Sequence, residues 1–156
     1  MTKNPLRYPT ILFDWGNTVM LDDPASTIPM VEWQTVEVIE GIAYVLEYLH
    51  PSGRRIVLAR GGLASYFSRI YCFKNTNLSK GEALYRHILS DLSIPATDAL
   101  MVGDGFEKDI QAANSVGIFA VWFNPRSEET RPGELYITVH SMGEFLEFFR
   151  SLDKNN

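Results

Sequence analysis

Cysteine is nearly absent from this chain: Cys72 stands alone among 156 residues, so no internal disulfide can form and a disulfide-stapled scaffold is excluded. Positive charge is also short. Fourteen basic residues against nineteen acidic ones leave a net charge of −5, and the chain has no positive field to gather nucleic acid or an anionic membrane. Histidines are few and scattered. His50, His87 and His140 show no metal-ligand spacing and read as a helix C-terminal cation, a helix-face residue and a strand-end residue. No apolar run approaches the ~20 residues that cross a bilayer, and the polar opening MTKNPLRYPT has no apolar core of secretion-signal type. A reducing, cytoplasmic setting is expected, with neither nucleic acid nor membrane as partner. There is no internal repeat and no low-complexity stretch. Hydrophobic residues at 46% and charged residues at 21% sit near the globular average, which excludes a disordered or fibrous chain. The length suits one domain, 1–156, with a frayed tail over 153–156.

What is present is an alternation. Short apolar runs at 10–14, 55–59, 71–73, 100–102, 119–123 and, more weakly, 136–139 read as strands covered on both faces. Between them lie helix-period stretches at 40–50, 80–92, 108–116 and 141–152. The fold class expected is therefore α/β, a three-layer sandwich around a central, mainly parallel sheet. Gly117 reads as a C-cap, and Ser141 with Glu144 as a capping box. The connection between 59 and 71 leaves room only for a stunted helix. The connection 19–39 is longer than the usual strand-to-helix loop, the kind of segment that more often serves function than mere linkage.

Two strands run directly into aspartate, Asp14 after Ile11-Leu12-Phe13 and Asp104 after Met101-Val102-Gly103. In an open parallel sheet the ligand crevice lies beyond the carboxyl ends of the strands, where strand order reverses, so neighbouring strands would bring both carboxylates together. Paired carboxylates need a cation or a proton, and a hard cation such as Mg²⁺ suits oxygen ligands. Either aspartate alone would read simply as a helix cap. Two in one chain, with Lys80 between them, point to a site.

These residues resemble a known family. The run 11–18 (ILFDWGNT), Lys80, and 102–109 (VGDGFEKD) followed by Ala112, Ala113 and Gly117 are similar to the motifs of the haloacid dehalogenase superfamily, in its Asp-Trp-Gly subgroup. The resemblance covers nearly the full chain and implies a Rossmann-like core. It implies that Asp14 is a nucleophile accepting a phosphoryl group as an aspartyl-phosphate, and that Lys80 neutralises phosphoryl oxygens. It further implies that Asp14, the Gly16 carbonyl, Asp104 and Asp109 hold Mg²⁺. The substrate implied is a small phosphorylated molecule or a phosphoprotein. Two positions depart from the pattern. Gly16 stands where the family carries its general acid and base, which protonates the leaving oxygen and later activates water and is worth 10²–10⁴-fold, and Ala59 stands where it carries a hydroxyl that binds phosphoryl oxygen. Arg60, or the backbone at Gly61 and Gly62, would have to substitute as anion donors. Neither cap position holds a large insertion, so an open site is expected. Two other readings stay open: a dehalogenase-like hydrolase, in which Asp14 displaces halide, and a catalytically feeble relative kept as a binding module.

The remaining candidates have plain structural readings. Asn17 suits a turn, with hydrogen bonding to substrate as its functional use. Trp15 suits packing against the loop that follows, and Cys72 a buried, inert thiol in a strand. Arg126 and Arg131, interleaved with Glu128, Glu129 and Glu134, suit a solvated loop. Phe145, Leu146, Phe148, Phe149 and Leu152 form a wide apolar stripe that suits the core, its surplus aromatics also fitting a homodimer interface.

Overall fold

The computed structural model describes residues 6–28, 33, 36–58 and 67–155. Its strands are β1 (Thr10–Phe13), β2 (Arg55–Leu58), β3 (Arg69–Ile70), β4 (Ala99–Gly103), β5 (Phe119–Phe123) and β6 (Tyr136–Val139). They form one sheet in the order β3-β2-β1-β4-β5-β6, with every neighbouring pair parallel. The helices are α1 (Ile42–Leu49), the single turn α2 (Phe73–Thr76), α3 (Glu82–Leu92), α4 (Ala112–Ser115) and α5 (Met142–Lys154), with a π-helical turn over Phe106–Gln111. This is the α/β, Rossmann-like architecture expected, without a sizeable cap.

Both sheet faces are covered because the strand side chains alternate between two apolar clusters. Ile11, Phe13, Leu100, Val102, Val121 and Phe123 pack with α1 and α5. Leu12, Val57, Met101, Ala120 and Trp122 pack with α3 and α4 on the other face. The stripe on α5 is used inside the fold: Phe145, Leu146 and Phe149 are buried, and Phe148 stacks on Phe119. The capping box forms, with the Glu144 amide donating to Ser141 Oγ at 3.1 Å and Glu144 Oε2 accepting from the His140 amide at 2.7 Å.

Several boundaries differ from the sequence expectation, each for a local reason. The third strand is Arg69–Ile70 rather than 71–73, because Asn75 Oδ1 accepts from the Cys72 amide and Thr76 Oγ1 donates to the Cys72 carbonyl, turning the chain into α2. Cys72 is therefore half-buried in a loop and not in a strand. The stretch 108–116 is a π turn leading into a short α-helix rather than one α-helix. Helix α5 continues past Leu152 to Lys154, and Asp153, expected to fray, is tied to Arg54. The two ends of the connection 19–39 are held together, the Ile39 amide donating to the Val19 carbonyl at 2.9 Å and the Leu21 amide to the Glu37 carbonyl at 2.8 Å. No helix among the described residues is long and apolar enough to cross a membrane.

Candidate active site

From β1 in the middle of the sheet, β2 and β3 succeed it on one side and β4, β5 and β6 on the other, so the strand order reverses between β1 and β4. A ligand crevice in an open α/β sheet forms at such a point, outside the carboxyl ends of the strands. Asp14 leaves β1 there, still bound to its neighbour through an amide donating to the Val102 carbonyl at 2.8 Å. Asp104 leaves β4 one residue after Gly103. The two strand tips thus meet at one place.

Asp109 arrives by a different route. The π turn after Gly105 bends the chain back until Asp109 Oδ2 accepts from the Gly105 amide at 2.9 Å. One carboxylate oxygen each from Asp14, Asp104 and Asp109 then lie within 4.8 Å of one another. Lys80, just before α3, reaches into this group. Its Nζ lies 2.5 Å from Asp14 Oδ1 and also pairs with Asp109 Oδ1. Thr18, fully buried, donates its hydroxyl to Asp14 Oδ2 at 3.2 Å, so both oxygens of Asp14 are held.

Three carboxylates facing one ammonium leave an excess of negative charge where Asp14 and Asp109 are buried and Asp104 is half-buried. Burial, the Asp14 carboxylate that hydrogen-bonds to it and the charge of Asp109 push Asp104 up to about 7, against the pull of Lys80. Burial and the Asp14 charge push Asp109 up to about 6, with Lys80 and the Gly105 amide opposing. Lys80 feels the reverse balance: burial works against its ammonium, but Asp14 and Asp109 outweigh it and hold the group above its ordinary value. A cluster that retains protons near neutrality and offers only hard oxygen donors fits a small divalent cation. The Gly16 carbonyl accepts no hydrogen bond from any described residue and remains available as a further oxygen donor.

Asp14, Gly16, Asn17, Lys80, Asp104 and Asp109 all line one open pocket of about 680 Å³. Asn17 adopts a left-handed backbone with φ 57°, and its side-chain Oδ1 accepts from the Asp22 amide at 3.1 Å, so the turn role is realised. Ala59, Arg60 and Gly61, with Gly62, lie outside the described residues. Trp15 is buried against Val19, Met20 and Ile39, which is packing on the loop that follows.

Other neighbours carried no sequence signal. Asp22, Cys72 and Lys108 line the same pocket. The buried Tyr85 hydroxyl donates to the Lys108 carbonyl at 3.1 Å and lies 3.4 Å from Asp109 Oδ1. Trp122 Nε1 donates to the Asp104 carbonyl at 3.1 Å, anchoring the acidic loop from β5. In the sequence Tyr85 and Trp122 are indistinguishable from ordinary core residues. Arg131 is solvent-exposed, as a solvated loop requires, and its guanidinium also lies over the Phe106 ring, 4.2 Å from its centroid.

Comparison with known proteins agrees with this geometry. The family model described as haloacid dehalogenase-like hydrolase matches residues 25–123. Pyrimidine 5'-nucleotidase PynA of Streptococcus pneumoniae is 31% identical over 102 residues, which are 63% of this chain and 41% of that one. Ribulose-1,5-bisphosphate 5-phosphatase of Halopiger xanaduensis is 36% identical over 72 residues, 46% of this chain and 30% of that one. The chain thus spans less than half the length of these curated relatives. The crystal structure of an uncharacterized protein from Listeria monocytogenes superposes with a TM-score of 0.74 at 24% identity, covering 93% of this chain and 98% of the other. That likeness speaks to the fold; the family match, over most of the chain, settles kinship, and the chain belongs to the haloacid dehalogenase-like hydrolases.

Proposed function

We propose that the chain is a phosphatase, Mg²⁺-dependent and acting through Asp14, on a small phosphorylated molecule. The observation that carries this reading is the contact of one ammonium, Lys80, with two carboxylates of a three-carboxylate cluster at the point where strand order reverses. Relatives with phosphatase and nucleotidase activities lend support.

Asp14 is the nucleophile in this reading. Its carboxylate attacks phosphorus as the bond to the leaving oxygen breaks, and water then cleaves the aspartyl-phosphate to phosphate and free Asp14; Lys80 and Thr18 fix the two oxygens of Asp14, so little orientation is lost on reaching the transition state. The Lys80 ammonium also sits where phosphoryl charge accumulates. Asp14, Asp104 and Asp109, with the Gly16 carbonyl, would hold the cation. Mg²⁺ would supply charge neutralisation between an anionic nucleophile and an anionic phosphoryl group. Gly16 has no side chain to protonate a leaving oxygen, so leaving groups that depart without a proton should react best. On sequence grounds Arg60 and the amides around Gly61 take the oxygen contact that Ala59 cannot make.

The test is hydrolysis of p-nitrophenyl phosphate, whose leaving group needs little protonation. Turnover should require Mg²⁺, cease with a chelator, and fall by about 10³-fold or more in Asp14→Asn. A second reading is favoured by Gly16 and Ala59 specifically: a relative that binds a phosphorylated ligand without turning it over. Absence of turnover at every Mg²⁺ concentration, with phosphate still bound, would select that reading. Halide release from a 2-haloacid without metal would select the dehalogenase chemistry.

A further inference from the structure

A smaller pocket of about 230 Å³ adjoins the main one, and Asn17 and Asp104 are walls of both. Leu21, Ile39 and Phe123 give it an apolar floor, and among the described residues Arg126 is the only cationic side chain that lines it. Arg126 makes no ion pair and no hydrogen bond among the described residues. Arg131, five residues on, is engaged with Glu129 and the Phe106 ring. A guanidinium without a partner beside a pocket is a receptor for a carboxylate or phosphate, which it can grip with two parallel hydrogen bonds.

The turn that carries Arg126 is set in advance of any ligand. The Asn124 amide donates to the Val139 carbonyl at 2.9 Å, and its side-chain Nδ2 donates to Ser127 Oγ at 3.2 Å and to the Glu129 carbonyl at 3.3 Å. His140 Nδ1 holds the Asn124 carbonyl at 2.8 Å, and Pro125 fixes its own φ. Backbone ordering at this turn therefore costs a ligand little. Size narrows the ligand. At ~30 Å³ per water, the space takes about seven or eight water-sized groups, enough for an anionic group on a short carbon chain and too little for a nucleoside. Charge points the same way. Among the described residues the main pocket is lined by four aspartates against Lys80 and Lys108, and a cation bound there would serve the phosphoryl group, leaving Arg126 as the positive partner for anything beyond it.

We propose that this smaller pocket is a subsite for a second anionic group, so that the preferred substrate is a short phosphomonoester that also bears a carboxylate or a second phosphate, gripped by Arg126. The proposal rests on the phosphatase reading of the main pocket, so its test is built on binding rather than turnover. Stable phosphonates are titrated into the protein at fixed free Mg²⁺: methylphosphonate as the probe without a second charge, phosphonoacetate and 3-phosphonopropionate with a carboxylate, and ethylene-1,2-diphosphonate with a second phosphonate. At least one doubly charged probe should bind about tenfold tighter than methylphosphonate, which is about 1.4 kcal/mol. The better of the carboxylate and diphosphonate arms identifies the second group. Arg126→Ala should bring the ratio to within about twofold, and Arg126→Lys should retain part of it. A ratio near one in the natural protein, or one unchanged in Arg126→Ala, overturns the subsite. If p-nitrophenyl phosphate is hydrolysed while the ratio is near one, only the subsite falls. If an Arg126-dependent ratio is found without turnover of any ester, the subsite stands and the phosphatase reading falls.

Discussion

At Gly103 the place that a β-carbon would take is already filled by the side chain of Asp109. Glycine before Asp104 is thus a demand of the site, since any larger residue drives Asp109 from the cluster. Gly103→Ala should cost about 1–3 kcal/mol through overpacking and about 10²-fold in kcat/KM for p-nitrophenyl phosphate through displacement of Asp109. Denaturant melts and steady-state rates check both. Gly143→Ala is the control: a β-carbon there meets only Ser141 Oγ at 3.6 Å, and it should be neutral or stabilise by up to about 1 kcal/mol. Gly16 invites the opposite experiment. Gly16→Asp would place a carboxyl group in the pocket where the leaving oxygen departs, and a positioned acid contributes 10²–10⁴-fold. Hydrolysis of an alkyl phosphate should rise, with 10²-fold as the order of gain, while p-nitrophenyl phosphate changes far less. Equal change for both esters would count against a missing acid.

Strand β2 is joined to helices α5 and α1 by a polar clasp within an apolar setting. The Arg54 side chain is fully buried; its Nη2 and Nη1 donate to the two Asp153 oxygens at 2.5 and 3.1 Å, its guanidinium lies over Phe149, and Tyr48 donates to Asp153 at 2.8 Å. The Arg54 hydrogen bonds hold the Asp153 carboxyl below the usual carboxylate range, against its partial burial and with help from Tyr48. A depressed carboxyl contributes stability above its unfolded value, and that contribution is lost as pH falls through the folded one. Asp153→Ala should cost about 3 kcal/mol at pH 7, because Arg54 is left buried and unpaired. Arg54→Met combined with Asp153→Ala should cost less than Asp153→Ala alone, as urea unfolding of the three proteins would show. Sequence could not reveal this clasp, since ninety-nine residues separate the partners. The tips of β1 and β4 were legible because an apolar run that stops at aspartate is a local signal. Lys80 was legible as a cation between the two aspartates, and its contact with Asp14, like the part of Asp109, only through family resemblance. The π turn, the short β3 and the free Arg126 depend on hydrogen bonds and packing that no window of sequence contains.

The fold gathers its negative charge at the reversal of the sheet, and this couples stability, protons and metal. Asp104 and Asp109 are raised to about 7 and about 6, from 3.8, chiefly by burial and by Asp14. Between pH 4 and 7 the metal-free folded chain therefore binds protons that the unfolded chain has released. With fewer protons bound in the unfolded state, the stability contributed by these groups falls as pH rises across that window and levels above it. A cation needs both carboxylates ionised, so protons compete with it in the same range and are released when it binds. Stabilisation by a ligand follows RT ln(1 + [L]/Kd), and the apparent Kd should drop as the two groups lose their protons. The rise in Tm caused by a fixed Mg²⁺ concentration should accordingly be small at pH 5, grow through pH 6 and 7, and level near pH 8. In Asp104→Asn the rise should be smaller, and its remaining pH dependence should follow Asp109, at lower pH. Thermal melts with and without Mg²⁺ at each pH decide it: a shift that is the same at pH 5 and pH 8 would mean that the protons held by Asp104 and Asp109 do not stand in the way of the metal.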